Sequence, residues 1–365
     1  MKKMARRIFI LMAASLSVGC NVFILSPSTS GTPKITPSGT PTSQQVAPPD
    51  FPNAKIEALA GTGETGNGTS DDPLLCALRL PSETIAMNDA SLFIADKGNS
   101  LIRLVKDGKI STFSLVLPTG KSLYSPKGLF LRGNDLFLSD VRRLYKVDAS
   151  TGGLSWSNEI KDTFSQDEPE GIAVDGANNI YYSAPGNNAV RRWNAATSEL
   201  EDFAQSGLKS PVGLAIDKND FLYVADRSHH RICRLDREGK ITTLAGTGQN
   251  EQAIGGDVIA NLGGFDGDGD LATNKRLNQP TGVAVDQKGN VFIADSLNQR
   301  IRMVAPDGKI YTLAGTGKSG DTGDGGPAFE ATFKTPVRVS LDPTEKFLYV
   351  TDDSAHRIRK ITLNP

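Results

Sequence analysis

The chain has 365 residues, 40 Lys plus Arg against 41 Asp plus Glu, and 37 glycines. Near-neutral charge excludes a polybasic nucleic-acid binder. Three His and three Cys exclude zinc-ribbon arrays and disulfide-dense scaffolds, and 38% hydrophobic residues exclude disorder of the bulk of the chain.

Lys2, Lys3, Arg6 and Arg7 precede an apolar run from Ile8 to Gly19, with Cys20 next. A basic stretch, a short apolar stretch and small residues before a cleavage point describe a secretory signal peptide over 1–19. Leu16-Ser17-Val18-Gly19-Cys20 resembles the lipobox of bacterial lipoproteins, Ser17 standing where that motif usually has Leu. The resemblance implies acylation of Cys20, which becomes the mature N-terminus. A plain signal peptide, or an anchor continuing through Val22 to Leu25, are the other readings of the same residues. The four basic residues leave with 1–19, so 36 positive charges face 41 negative ones and the mature chain carries −5.

Residues 20–54 are rich in Ser, Thr and Pro, as in Ser26 to Asp50. Such a segment cannot bury enough apolar surface to offset its ordering entropy, so it reads as a disordered tether. The expected location is outside the cytoplasm: a membrane-anchored lipoprotein facing periplasm or cell exterior.

From residue 55 to 365 one unit repeats. Six copies start at Pro81, Pro126, Pro169, Pro211, Pro280 and Pro336. Each carries four short strand-like runs punctuated by Gly, Asn or Asp, of the kind G-x-A-V-D, L-Y-V-A-D, R-I-R-x-V and K-I-x-T-L. Six four-stranded units predict an all-β fold, a six-bladed β-propeller. The last copy stops after Arg359-Lys360-Ile361 without its fourth strand, and that strand stands at the other end as Lys55-Ile56-Glu57-Ala58-Leu59-Ala60. The N-terminal strand is therefore expected to complete the last blade and close the ring.

The P-x-G-x-A-V-D, Y-V-A-D, N-x-R-I-R and T-L-A-G-T-G elements resemble NHL repeats over about 310 residues. Gly323-Asp324-Gly325-Gly326-Pro327-Ala328 is similar to a loop of bacterial NHL propellers and of the teneurin propeller. The resemblance implies a fold and leaves the chemistry open, because relatives include protein binders, RNA binders, receptor ectodomains and a few lyases or lactonase-like enzymes.

Recurrent residues read as scaffold. Asp96, Asp140, Asp226, Asp295 and Asp352 end the second strand in five of six copies, and Asp175, Asp217, Asp286 and Asp342 close the first. Both columns suit Asx-type turns. Arg103, Arg191, Arg302 and Arg359 recur on the third strand, within reach of such carboxylates. Functional candidates are the departures from the repeat. Lys127, Glu170 and Arg338 sit in the P-x-G element, where they either ring the channel mouth as ligand contacts or lie as solvated rim charges. Cys76 and Cys233 lie in different parts of the ring and read as unpaired thiols.

The junctions 64–80, 249–279 and 318–335 are long, and three consecutive junctions place them on one half of one face. They hold eleven acidic residues, among them Asp257, Asp321 and Asp324, against five basic ones. Loops on a rigid scaffold concentrate binding residues. Asp266-Gly267-Asp268-Gly269-Asp270 has the alternating oxygen ligands that Ca2+ favours but lacks the rest of an EF-hand, so it is either a calcium site or a solvated turn.

The function expected is a membrane-tethered, non-enzymatic binding scaffold, monomeric, holding a cell-envelope protein or glycan through acidic loops. The alternative is a metal-dependent lactonase-like hydrolase or a lyase in the channel. For that alternative only His229, His230 and His356 are present, and Glu170 is the one obvious counterpart of a lactonase ligand. RNA is set aside, because phosphate contacts need Lys and Arg.

Overall fold

A computed structural model describes residues 45–159, 168–248, 251–254, 257–260 and 263–364. The expected signal peptide, Cys20, most of the expected tether and the side chain of Asp257 lie outside the described residues. Six antiparallel sheets follow one another in chain order. Blade one is Glu83–Ala86, Leu92–Asp96, Leu101–Lys106 and Lys109–Thr112. Blade two is Leu129–Arg132, Asp135–Ser139, Arg143–Asp148 and Leu154–Glu159, and blade three is Ile172–Val174, Ile180–Ala184, Ala189–Asn194 and Glu199–Ala204. Blade four is Pro211–Ile216, Leu222–Asp226, Arg231–Leu235 and Ile241–Ala245, and blade five is Pro280–Val285, Val291–Asp295, Arg300–Val304 and Lys309–Ala314. Blade six takes Pro336–Leu341, Phe347–Asp352 and Arg357–Thr362 from the end of the chain, and Lys55–Ala60 from its beginning. Lys55 pairs with Thr362 and Ile56 with Ile361, antiparallel.

The core lies between blades. Six apolar clusters each bridge one pair of neighbours, such as Tyr223 and Ala225 of blade four with Val283, Ile293 and Val304 of blade five. A single blade exposes both faces of its sheet, so stacking in a ring is what buries them.

The expected tether ends sooner than residue 54. Phe51 and Ala54 are buried in the cluster between blades five and six, Phe51 packing on Phe292 at 6.0 Å between ring centroids. Gln45 Nε2 donates to the Gly315 carbonyl at 3.1 Å, and the Val46 amide to Asp268 at 2.7 Å. One aromatic side chain at the end of the Ser/Thr/Pro run supplies the apolar burial that holds these residues down.

The three long junctions do not spread as a canopy over one face. Each turns down the outer edge of the blade ahead and hydrogen-bonds the start of its outer strand. The Ile110 amide donates to the Asp71 carbonyl, Asp270-Leu271 pairs with Ile310 and Lys309, and the Ile56 amide donates to the Gly326 carbonyl. An outer strand otherwise presents unpaired backbone, and these straps cover it. All three straps start alike. The amides of Gly61, Gly246 and Gly315 donate to the carbonyls of Pro73, Ala272 and Ala328. Gly315 has φ +93°, and a Cβ there would stand 2.5 Å from the Gln299 carbonyl oxygen. Only glycine fits, so A-G-T-G in blades four, five and six marks where a strap begins.

Candidate functional site

In an antiparallel blade the start of the inner strand, the turn between second and third strands and the end of the outer strand lie at one end. That end is the channel mouth. Gly128, Gly171, Gly213 and Gly282 lie there against backbone of the next blade; a Cβ on Gly282 would be 2.7 Å from the Arg338 Cα. In blades one and six the same position holds Glu83 and Arg338. These two stand on adjacent blades, and Arg338 Nε meets Glu83 at 3.1 Å. Arg338 Nη1 also donates to the Thr281 carbonyl at 2.6 Å. Across the mouth, Lys127 Nζ meets Glu170 at 2.6 Å and Glu168 at 2.8 Å.

The two cations are buried rather than solvated, Lys127 7% exposed and Arg338 5%, whereas Glu170 is half-buried and Glu168 exposed. Burial pushes the Glu83 carboxyl up to about 7, the Arg338 guanidinium opposing this. Burial also works against the Lys127 ammonium, but Glu170 and Glu168 more than offset it and raise its pKa. Beneath the collar lies a small cavity of about 170 Å³ lined mainly by aliphatic side chains, including Ile85, Leu129, Leu214, Val283 and Leu341.

The structure thus brings Lys127, Glu170 and Arg338 to one rim and adds Glu83 and Glu168. Glu83 was legible in principle. It stands two residues after Pro81, at the glycine position of its element, as Arg338 stands two after Pro336.

The strap carboxylates do not share this site. Asp268 is buried against Arg302 at 2.8 Å and Asp324 meets Arg359 at 2.9 Å; in blade one Asn67 does the same to Arg103 at 2.5 Å. Asp266 forks onto Arg276, with Nη2 at 2.6 Å, and Asp270 faces Lys275 at 3.7 Å. Asp321 lies 3.8 Å from Arg357 and 3.9 Å from Lys334. Asp266, Asp268 and Asp270 are therefore drawn to three different cations instead of converging as a Ca2+ shell. No group of three or more His, Cys, Asp or Glu side chains among the described residues could hold a metal. The acidic half-face is likewise corrected. A count over loops alone omits the counter-charges on strands, Lys109, Arg302, Arg357 and Arg359, onto which Asp71, Asp268, Asp321 and Asp324 fold.

The histidines are also accounted for. His230 and His356 sit in the left-handed conformation at the start of the third strand. Their Nδ1 atoms accept the amides of Gln279 and Leu80, a role taken by Asn188 Oδ1 and Ser100 Oγ at other seams. His229 Nδ1 lies 2.7 Å from Asp226. The second-strand Asp column is structural, although its main donors differ from those expected: the amides of Arg79, Lys209, Asn278 and Lys334, from the incoming segment. The first-strand column makes the expected Asx turns, Asp175 accepting from Ala177 and Asn179. Cys76 and Cys233 are buried and free.

Ring closure, four-stranded blades and a charged mouth over an apolar shaft define a six-bladed β-propeller. The NHL repeat family matches residues 208–235 and the Teneurin NHL domain family residues 264–323. The chain is an NHL-repeat β-propeller. It is 31% identical to NHL repeat-containing protein 2 of Bos taurus over 165 residues, 44% of this chain and 22% of that protein. Protein SUPPRESSOR OF QUENCHING 1, chloroplastic, of Arabidopsis thaliana is 29% identical over 52% of this chain and 17% of its own length. Teneurin-m of Drosophila melanogaster is 25% identical over 78% of this chain and 12% of its own length. The chain thus spans about a fifth or less of the curated relatives it matches. Among solved structures, an auxiliary nutrient binding protein from Bacteroides ovatus superimposes with TM-score 0.63 at 17% identity, over 86% of this chain and 77% of that one. A virginiamycin B lyase from Staphylococcus aureus does so with TM-score 0.52 at 13% identity, over 85% and 99%. At these identities the likeness concerns the fold alone.

Proposed function

We propose that the protein is an exported, membrane-tethered binding scaffold without chemistry of its own, holding an extracytoplasmic protein or glycan at the channel-mouth end. One observation carries this reading. Fastening of the blade-five strap is done by residues 263–279, and the strands Glu251–Ile254 and Asp257–Ala260 ahead of them form a two-stranded sheet that joins no blade. Gly248 and Gly263, the described residues that flank this segment, both lie at the mouth end, beside Arg231 and beside His230 and Asn278. Exposed apolar side chains at the same end, Leu80, Tyr124 and Leu297, supply contact area. The lipobox-like start supports export and anchoring, and the auxiliary nutrient binding protein of the same fold supports capture rather than turnover.

The test joins Gly248 to Gly263, deleting 249–262, in the domain from residue 45 onward. With the melting curve unchanged, retention of cell-envelope proteins and glycans is expected to fall by about tenfold, the loss of one hot-spot element. Unchanged retention overturns the reading.

A further inference from the structure

We propose a second binding site on the opposite face: the cleft between blades two and three at Trp156 and Trp193, shaped for a pyranose ring of a saccharide. It is independent of the mouth-end reading. Trp193 pairs with Ile180, and the residues in that register in the other blades are Val105, Val147, Leu235, Val304 and Ile361. All five are buried aliphatic residues, 0–7% exposed, whereas Trp193 is only half-buried. Trp156 pairs with Lys146, where other blades place Ser111, Glu201, Thr242, Tyr311 or Glu57. Two departures from the repeat, on neighbouring blades, thus meet with ring centroids 5.2 Å apart. They are the only two tryptophans in the chain.

The cleft encloses about 300 Å³, with Phe137, Ile180 and the two indoles as an apolar floor. That volume is at the small end of ligand pockets, about 300–1,000 Å³. Its rim is polar. Asn178 comes from the turn between first and second strands, and Ser198 from the turn between third and outer strands, both exposed. Neither side chain hydrogen-bonds another described residue. These turns lie at the end of the blades opposite the mouth.

A pyranose has an apolar C–H face and a hydroxylated edge, so it can stack on indole while its hydroxyls reach the rim amide and hydroxyl. An apolar peptide filling the cleft would desolvate those rim groups without replacing their hydrogen bonds, which is unfavourable.

Because no other tryptophan exists, intrinsic tryptophan emission reports on this cleft alone. The full domain is titrated with cello-, chito-, xylo- and maltotetraose. A saturable change in emission with at least one is expected. Trp156→Ala removes a half-buried ring packed on the seam between blades two and three, so it should lower the melting temperature by a few degrees without unfolding the ring, and weaken binding by about tenfold. Asn178→Ala with Ser198→Ala keeps both reporters and should weaken it about three- to tenfold. Flat emission with all four saccharides overturns the proposal. So does binding that both variants leave intact, or a response to an apolar naphthalene dye with none to any saccharide.

Discussion

Blades five, six and one differ from blade four in one respect, and other differences follow from it. The junctions leading into the first three are long enough to run down the outer edge, whereas the junction into blade four spans only residues 205–210 and is too short. Where a strap arrives, the third strand carries an arginine that grips it: Arg302 takes Asp268, Arg359 takes Asp324 and Arg103 takes Asn67. In blade four, with no strap side chain to receive, the same register holds Cys233, whose thiol lies 3.9 Å from Asp226. In blade two it holds Tyr145, whose hydroxyl donates to Asp140 at 2.8 Å. In blades five, six and one this arginine therefore belongs to strap and blade together, with Asp268 and Asp324 as counter-ions in blades five and six, whereas Arg191 of blade three lies 3.5 Å from Asp202 of its own outer strand.

The largest effect should come from Arg302, fully buried between Asp268 and Asp295. Burial raises the Asp295 carboxyl to about 6, Arg302 opposing this. Arg302→Ala strands these carboxylates without their cation and should cost about 3–5 kcal/mol in denaturant unfolding. Cys233→Ala, at the same register without a strap, should cost about 1 kcal/mol. Equal losses would show that straps and arginines are not coupled.

The next contrast is between two glycines of positive φ. Gly315→Ala meets the Gln299 carbonyl and should cost about 3 kcal/mol. Gly207→Ala, in the short junction, has only the Ile241 Cδ1 methyl at 3.4 Å and should cost about 1 kcal/mol. Similar costs would remove the strap start as the reason for A-G-T-G.

A smaller effect concerns the brace before blade five. His230→Ala leaves the Gln279 amide unpaired and should cost about 1–2 kcal/mol, while His230→Asn, which copies Asn188, should recover most of it. Burial, then the neighbouring His229, lowers the His230 pKa below its ordinary 6.5. The folded state thus favours the neutral ring, and the His230 contribution is present above pH 6.5 and lost as pH falls below it. A pH-independent difference between wild type and His230→Asn would refute that assignment.

Glu83 has the opposite sign. Its folded pKa, about 7, lies above the ordinary 4.5, so its contribution is complete below pH 4.5 and declines as pH rises to about 7. Glu83→Gln should therefore gain stability relative to wild type across that window, measured by thermal melts at several pH values. A relative loss would mean that the Arg338 pair, rather than burial, governs this seam.

Blade number, strand order and the split sixth blade were all legible in the sequence, because each strand's alternation is local and its pattern recurs. The mouth was legible in part. Lys127, Glu170 and Arg338 stood out as departures from P-x-G, whereas Glu83 became meaningful only once Arg338 stood opposite it, 255 residues away in the chain. Where the Ser/Thr/Pro-rich segment meets the ring depended on one side chain, Phe51, finding Phe292.

The sequence by itself determined the ring, since periodic apolar strands that expose two faces can bury both only by stacking on copies of themselves. Tertiary structure alone decided the fate of the charges. A balance of 40 against 41 says nothing of which carboxylate meets which guanidinium. Those partners lie on strands distant in sequence, and only folding brings Asp268 to Arg302 and Asp324 to Arg359. Likewise only the assembled seam between blades two and three brings two isolated tryptophans into one cleft.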